Sequence, residues 1–506
     1  MTHSVKLLFN TIASLGRIIV NAISTLIATR IALNQLGESD FGLFNLIAGI
    51  IVMLSFFSGA LSISGQRFFS IALGKKDTIL LNKYFNSSLG IHIFIGIFTI
   101  ITLFLIEPLL FNGFLNIKNE LIPKAIIIYR ILILSSGLTI ACIPFSALSN
   151  AYEDLGIIAI SDILSSIIKL FGALFLVFFT NKLIFFSFVF LISFIIKDLI
   201  NYFWCRIKYP NIYISANNLF NKEIWKEMFS FVSWNTLGSL AVVIRNQGVA
   251  IVLNIYFGTI INASYGVANQ VNSLVLSFAT ALTTVFAPSI IQAYGANDIK
   301  RTKDLSILSS KLSFMLSGIM AIPILSFLHP ILEIWLKTIP PHTEIFTGFI
   351  IICFLIQQLY PGLNRAIYAT GFIKFYQIYL SVTLISIIPL GAICYQYNMA
   401  SYSIFVCMLI SQLLTLIITV NISSKLLKIN KLDFWNNSVL KPVFLFSIIL
   451  IIGITTNRYI IINIPLLISL SFILICIFSI LYMKFILTNS ELSYFKKLYH
   501  DLLKRL

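Results

Sequence analysis

A polar stripe near the N-terminus is the first feature of this sequence that could do chemistry. The apolar segment from Phe9 to Arg30 carries two arginines. A helix that turns about 100° per residue places several small polar residues on the face of Arg17. The stripe consists of Asn10, Ser14, Arg17, Asn21, Ser24 and Ala28. Arg30 lies on another face near the end of the segment, where a long side chain can reach the membrane interface.

Arg17 needs a special environment if this segment crosses a membrane. A charge at the centre of a transmembrane helix costs roughly 2.5–3.5 kcal/mol on insertion scales. A buried ion pair could offset this cost, but the segment itself contains neither Asp nor Glu. The sequence therefore favours a stripe that faces water, so that Arg17 lines a hydrated cavity.

Two further charges lie inside the fifth apolar segment. Asp162 precedes Lys169 by one heptad and shares its helical face. The pair could be a structural ion pair or part of a proton relay, and the sequence leaves both open. We predict Lys169 as a cavity residue and Asp162 as a possible coupling residue. By contrast, Lys197, Asp198, Arg130 and Arg365 lie nearer segment ends, which predicts positions at the membrane interface.

Polar faces also occur in the second, seventh and eighth apolar segments. Arg245 lies near the middle of the seventh, while Asn45 and Asn269 lie on faces of the second and eighth. For a single Ser or Asn, hydrogen bonding between helices explains the pattern equally well. For the arginines, a hydrated cationic cavity is the better explanation. Its predicted substrate-binding residues are Ser14, Arg17, Asn21, Asn45, Lys169, Arg245 and Asn269.

The composition indicates which elements hold these residues. The chain has 506 residues, of which 58% are hydrophobic and only 10% are charged. Apolar runs long enough to cross a bilayer of about 30 Å recur along the chain, about fourteen in all. The sequence predicts an all-α polytopic membrane protein with two parallel six-helix lobes and two C-terminal helices.

The distribution of Lys and Arg predicts the orientation. Alternate loops are basic, and the positive-inside rule places both termini in the cytoplasm. The net charge of +17 follows mostly from this bias and suits anionic membrane lipids, so no nucleic-acid partner is expected. The tail after Glu491 has an amphipathic pattern typical of a helix that lies on the membrane surface.

An internal repeat defines the predicted domains. Asn34, Gly37 and the turn Gly74–Asp77 recur about 220 residues later as Asn254, Gly258 and Gly295–Asp298. Tyr152 recurs as Tyr368 in the same way. An even number of spans per half makes the repeats parallel, and such transporters hold substrate between their lobes. The predicted domains are an N-lobe (1–205), a cytoplasmic linker (206–227), a C-lobe (228–425), and a final segment (426–506) with two spans and the tail.

The sequence gives no sign of an enzyme. It contains no Walker A motif, no Ser/His/Asp constellation and no cluster of Cys and His, so neither catalysis nor a cofactor or metal is expected.

The motifs resemble a known family. The stretches 36–70, 144–156 and 265–295 are similar to those of the polysaccharide-export flippases of the MATE-like MOP exporter superfamily, the Wzx (O-antigen) type. The resemblance covers roughly residues 5–425. It implies alternating access between two lobes with a cationic cavity. It also implies translocation of undecaprenyl-diphosphate-linked oligosaccharide across the bacterial inner membrane, for lipopolysaccharide or another surface polysaccharide. Arg17 and Arg245 lie where cavity residues of the family would be expected.

The resemblance also implies partners and leaves rivals. Expected partners are the lipid-diphosphate-linked oligosaccharide, membrane lipids and a neighbouring polymerase or glycosyltransferase, with the chain acting as a monomer. The first rival is a MATE-type drug or cation antiporter, which needs carboxylates in its cavity. A flippase for peptidoglycan precursors shares the same physics. A membrane-embedded glycan polymerase or ligase is the rival from another class, and it would need a large outer loop.

Overall fold

The computed structural model of the protein describes residues 3–52, 55–111, 117, 119–336, 339–459, 463–488 and 491. These residues form helices and short connections, and they include no β-strand. The chain forms two compact units, Phe9–Thr236 and Leu237–Leu506, and Met1–Leu8 belongs to the second. The amphipathic pattern of the tail after Glu491 lies outside the described residues.

The first six helices carry the polar residues of the N-terminal unit. They are α1 (His3–Val52), α2 (Ser55–Gly74), α3 (Thr78–Leu109), α4 (Ile122–Ala151), α5 (Leu155–Phe175) and α6 (Lys182–Lys208). The short α7 (Ala216–Leu219) lies between α6 and α8 (Lys222–Gly295), and α8 crosses into the second unit. A helix satisfies its own backbone hydrogen bonds, which is why apolar segments in lipid adopt it.

Ten further helices follow in the C-terminal unit. They are α9 (Ile299–Ser326), α10 (Leu328–Leu336), α11 (Thr343–Gln357), α12 (Pro361–Thr370), α13 (Lys374–Ile385), α14 (Ile387–Gln396), α15 (Ser403–Leu427), α16 (Lys431–Phe434), α17 (Lys441–Tyr459) and α18 (Ile464–Phe485). A π-helical turn, Trp435–Leu440, joins α16 to α17.

Eleven helices among the described residues are long and apolar enough to span a membrane, or up to 13 spans if each bent pair is counted as one. The second apolar segment, near residues 41–64, includes residues 53 and 54, which lie outside the described residues. The all-α polytopic architecture is confirmed.

The repeat appears in the backbone at the positions that the sequence pairs. Gly37 breaks α1 at φ 79°, ψ 167°, and Gly258 breaks α8 at φ 77°, ψ −174°. This region of φ and ψ is essentially restricted to glycine. Lys76 and Asn297 both have left-handed φ values, 56° and 59°. The aspartate that follows each of them accepts a hydrogen bond at the start of the next helix, from Leu80 N and Arg301 N respectively.

Aromatic rings form much of the packing of the N-terminal unit. The ring centroids of Phe44, Phe186 and Phe190 lie 5.0–5.1 Å from one another. These rings join the second part of α1 to α6. Because lipid is as apolar as a protein core, close packing of this kind contributes more to helix association than burial alone.

The connection between α6 and α8 is fastened to α3. Asn86 Nδ2 donates to the Tyr213 carbonyl at 2.9 Å, and its Oδ1 accepts from Ser215 N at 2.7 Å. Ser87 Oγ donates to the Asn218 carbonyl at 3.0 Å. The connection predicted as a linker therefore follows a defined path across the N-terminal unit.

Candidate functional site

Arg17 is bonded to a carboxylate of another helix. Its Nη1 lies 2.9 Å from Oδ2 of Asp162, which projects from α5. The other oxygen of the same carboxylate, Oδ1, lies 2.8 Å from Nζ of Lys197 on α6. The three side chains retain 22%, 18% and 28% of their surface. One carboxylate thus bridges two cations from two different helices.

This arrangement corrects one inference from the sequence. The lack of an acidic residue in its own segment argues against an ion pair for Arg17, but the carboxylate comes from α5. Lys197, which the sequence places near the membrane interface, is half-buried and bonded to the same carboxylate. Helices distant in sequence supply the partners, and the periodicity of one segment carries no information about them.

Lys169 does not form the ion pair that its spacing from Asp162 allowed. Its Nζ lies 5.0 Å and 4.3 Å from the ring centroids of Phe190 and Phe194. Asp162 is within electrostatic range but is taken by Arg17 and Lys197. Asp198, also predicted at the interface, is half-buried and hydrogen-bonded to Thr139.

The small residues of the predicted stripe face the interior of the N-terminal unit. Asn10 and Ser14 are buried, and Asn10 Nδ2 donates to the Glu153 carbonyl at 2.7 Å. Asn21 accepts a hydrogen bond from Ser166 Oγ of α5 at 2.9 Å. The stripe therefore contacts α5 at two levels and the turn after α4 at a third. The side chain of Asn45 lies outside the described residues.

A cavity of about 230 Å³ lies beside this contact. It is lined by hydroxyl residues of α1 and α5, by Lys169 and by aromatic residues of α1 and α6. These are Ser24, Thr25, Ala28, Thr29, Phe41, Phe44, Ser166, Lys169, Phe186 and Phe190. Two residues singled out from the sequence line this cavity: Ser24 of the polar stripe and the intramembrane cation Lys169.

Arg245 has a different environment in the C-terminal unit. Its Nε and Nη2 donate to Oδ1 of the adjacent Asn246, at 3.1 Å and 2.9 Å. The titratable groups within its electrostatic range are Tyr265, Cys353 and Tyr360, and none of them is a carboxylic acid. Within the described part of the chain, Arg245 therefore has no carboxylate partner.

Arg365 on α12 is a second such arginine. It is half-buried, and Tyr368 is the titratable group in its range. The hydroxyl of Tyr368 accepts from Gln377 Nε2 at 3.1 Å, and that of Tyr360 donates to Gln412 Oε1 at 3.3 Å. The sequence suggested an interfacial position for Arg365 and missed these tyrosines. Arg365 precedes Tyr368 by one helical turn, and this spacing is the signal that could have identified it.

Asn269, in the same unit, forms a hydrogen bond with the backbone of its own helix. Its Nδ2 donates to the Tyr265 carbonyl at 3.0 Å, one turn earlier in α8. The Tyr265 hydroxyl in turn donates to the Asn246 carbonyl at 3.4 Å. Hydrogen bonds through Tyr265 therefore connect Asn269 to Asn246, the residue that follows Arg245.

A larger cavity lies in the C-terminal unit. It measures about 760 Å³ and is lined by residues of α9, the connection after α15 and the segment after α18. Its lining mixes cations such as Arg301 with anions such as Asp433. Lys311, 3% exposed, forms an ion pair there with Glu491 at 2.9 Å. Because its charges are mixed and partly paired, we do not count it as the substrate site.

Comparison with known proteins gives one curated relative and a group of solved structures. No family model matches the sequence. The uncharacterized membrane protein EpsK of Bacillus subtilis (strain 168) is 22% identical over 373 residues, which cover 70% of this chain and 71% of that protein.

The solved structures resemble this chain more closely in fold than in sequence. A MATE protein in complex with MaL6 has a TM-score of 0.73 at 14% identity, over 84% of this chain and 96% of that one. A MOP superfamily transporter from Pyrococcus furiosus, described as having a binding pocket of reverse polarity, has a TM-score of 0.72 at 14% identity, over 84% and 95%. An outward-facing multidrug resistance MATE transporter has a TM-score of 0.71 at 14% identity, over the same shares. The chain has the fold of the MATE-like transporters of the MOP superfamily.

Proposed function

We propose that this protein is a flippase that moves an undecaprenyl-diphosphate-linked oligosaccharide across the bacterial inner membrane by alternating access. The diphosphate headgroup is the part of such a substrate that most needs help in crossing the apolar core. Arginines of the C-terminal unit bind this diphosphate. Polar residues of the N-terminal unit contact the sugars.

One observation carries the proposal. Arg245 and Arg365 are half-buried and have no carboxylate partner among the described residues. An unpaired charge in a membrane-spanning segment is costly and usually marks a substrate or ion pathway. A guanidinium binds phosphate through two parallel hydrogen bonds, so an anionic headgroup would complete both sites.

The N-terminal unit would contact the sugars instead of the diphosphate. Arg17 and Lys197 share the carboxylate of Asp162, so Arg17 already has an anionic partner within the unit. Hydroxyl and amide groups of the same unit, such as Ser24 and Asn21, can exchange water for sugar hydroxyls. Arg245 and Arg365 have no such partner among the described residues, so the headgroup is assigned to them.

A drug or cation antiporter of the same fold is supported less well. Cationic substrates require available carboxylates, and Asp162 already contacts two cations. Asp198 is hydrogen-bonded to Thr139. A solved structure of this fold is itself described as having reversed pocket polarity, so the fold does not imply a cationic substrate.

The test is transport by the purified full-length chain in proteoliposomes. A fluorescent undecaprenyl-diphosphate oligosaccharide would be reconstituted in both leaflets, and flipping would be measured as the fraction reduced by external dithionite. We expect wild-type protein to expose the inner-leaflet probe. Arg245→Ala and Arg365→Ala should each slow this exposure by about tenfold, the ratio for a lost charge-assisted hydrogen bond.

The control replaces an exposed cation of the same charge. Lys83→Ala lies outside both groups of residues and should flip at the wild-type rate. Wild-type flipping by the double variant Arg245→Ala/Arg365→Ala would overturn the assignment of the headgroup. A wild-type rate equal to that of empty vesicles would overturn the function itself.

The location and partners belong to the same proposal. We place both termini in the cytoplasm of the inner membrane, with the chain acting as a monomer near a polymerase or glycosyltransferase. Reporter fusions at each terminus test the orientation: an enzyme active only in the periplasm should be inactive at both. Proton coupling through Asp162 is tested by Asp162→Asn, which should remove any dependence of flipping on an imposed pH gradient.

A further inference from the structure

The 230 Å³ cavity of the N-terminal unit has the dimensions of a site for one ring. Pockets that enclose drug-sized ligands begin at roughly 300 Å³. An oligosaccharide would not fit, but a single sugar residue of a longer glycan would. The walls come from α1, α5 and α6, all of one unit.

The lining of the cavity combines aromatic and hydroxyl residues. Phe44, Phe186 and Phe190 form an aromatic wall with ring centroids 5.0–5.1 Å apart. Ser24, Thr25 and Thr29 of α1 line the cavity with hydroxyl groups. The C–H face of a sugar ring packs against aromatic rings, and its hydroxyls exchange hydrogen bonds with serine and threonine. A few polar groups on an apolar wall are the usual composition of a ligand site.

Lys169 adds a positive charge to this cavity. Its ammonium carries three hydrogen-bond donors, and its Nζ lies over the rings of Phe190 and Phe194. Rings attract a cation but accept no ordinary hydrogen bond. No described carboxylate lies within 4.0 Å of this ammonium, and Asp162 is bonded to Arg17 and Lys197 instead. The cavity therefore has room and donors for an anion.

We propose that this cavity binds one acidic sugar residue of the transported glycan, a pyranose that bears a carboxylate. The aromatic wall takes the face of the ring, the α1 hydroxyls take its hydroxyl groups, and Lys169 takes the carboxylate. This inference rests on the proposed function and names the substrate class: glycans that contain a uronic acid or a similar residue.

The experiment measures sugar binding without transport. Full-length protein in detergent micelles would be titrated with D-glucuronate and, separately, with D-glucose, and binding would be followed by saturation-transfer NMR. We expect transfer to the ring protons of glucuronate and weaker affinity for glucose. Lys169→Gln should lower the affinity for glucuronate by about tenfold and leave that for glucose unchanged, since one charge-assisted contact is lost.

Two further variants keep the test decisive. Thr25→Val removes a hydroxyl at nearly constant shape and should weaken the binding of both sugars. It provides a second test of the cavity if Lys169→Gln fails to fold. Lys83→Gln removes an exposed cation outside the cavity and should change neither affinity. Absence of glucuronate binding, equal affinity for both sugars, or no effect of Lys169→Gln would each overturn the inference. Because flipping is assayed separately through Arg245 and Arg365, the two proposals can fail independently.

Discussion

Arg17 and Asp162 are 145 residues apart in sequence and form an ion pair of 2.9 Å that joins α1 to α5. Lys197 of α6 uses the second oxygen of the same carboxylate at 2.8 Å. Helices α1, α5 and α6 are therefore joined at one carboxylate, that of Asp162. We expect removal of the anion to be more harmful than removal of either cation, because it leaves two neighbouring positive charges.

Loss of Asp162 should destabilise the protein more than loss of Arg17. Removing one partner of a fully buried pair costs about 3–5 kcal/mol. Since these side chains keep about a fifth of their surface, we expect about 1–3 kcal/mol for Asp162→Ala. Arg17→Ala should cost less, because Asp162 keeps its contact with Lys197. Thermal unfolding in one detergent compares the two variants.

The double variant provides the control for this ion pair. Arg17→Ala/Asp162→Ala should lose less stability than the sum of the single variants, because the two residues interact directly. Additive losses, or an Asp162→Ala protein as stable as wild type, would contradict the bridging role.

Replacement of Arg245 by Lys should not restore transport fully. Lysine keeps the charge but presents a compact ammonium instead of a planar fork. We expect Arg245→Lys to flip lipid-linked oligosaccharide faster than Arg245→Ala and slower than wild type. The rates are measured in the same proteoliposome assay. Full activity with lysine would show that charge alone is sufficient at this position.

Replacement of Gly37 by Ala should destabilise the chain through backbone strain alone. A Cβ at this position meets no heavy atom within 4 Å, but φ is +79°. Residues held in such regions cost of order 1–3 kcal/mol. The matched control is Gly49→Ala in the same helix, where a Cβ also meets open space without a positive φ. Gly49→Ala should stabilise the protein by about 0.5–1 kcal/mol, because alanine loses less backbone freedom than glycine in a helix. Similar melting temperatures for the two variants would contradict the strain at Gly37.

Loss of Glu491 should destabilise the C-terminal unit. Its carboxylate lies 2.9 Å and 3.0 Å from Nζ of Lys311, which is 3% exposed. Glu491→Ala leaves the buried ammonium with the Ile486 carbonyl as its one remaining partner among the described residues, which we expect to cost about 3–5 kcal/mol in thermal unfolding.

Two comparisons control for this result. Lys311→Met/Glu491→Leu replaces both charges by apolar groups and should be close to wild type. Glu333→Ala removes a carboxylate that is 66% exposed and should change little. A double variant as unstable as Glu491→Ala would show that the charges themselves are not responsible.

The helical architecture and the recurrence of Gly37 as Gly258 could be predicted from the sequence. Each depends on local properties: the length of apolar runs, the freedom of glycine and the Asp that begins the next helix. Such features leave a regular trace along the chain, and the structure reproduces them in both units.

The environment of each intramembrane charge was decided by the tertiary structure. Arg17 and Arg245 look alike in sequence, since each lies in an apolar segment beside Ser and Asn. Packing gives Arg17 a carboxylate from α5, whereas Arg245 receives tyrosines and no acid among the described residues. Lys169 faces aromatic rings instead of Asp162 for the same reason. A charge is paired by whichever helix packs against it, and hydrophobic periodicity within one segment does not specify that neighbour.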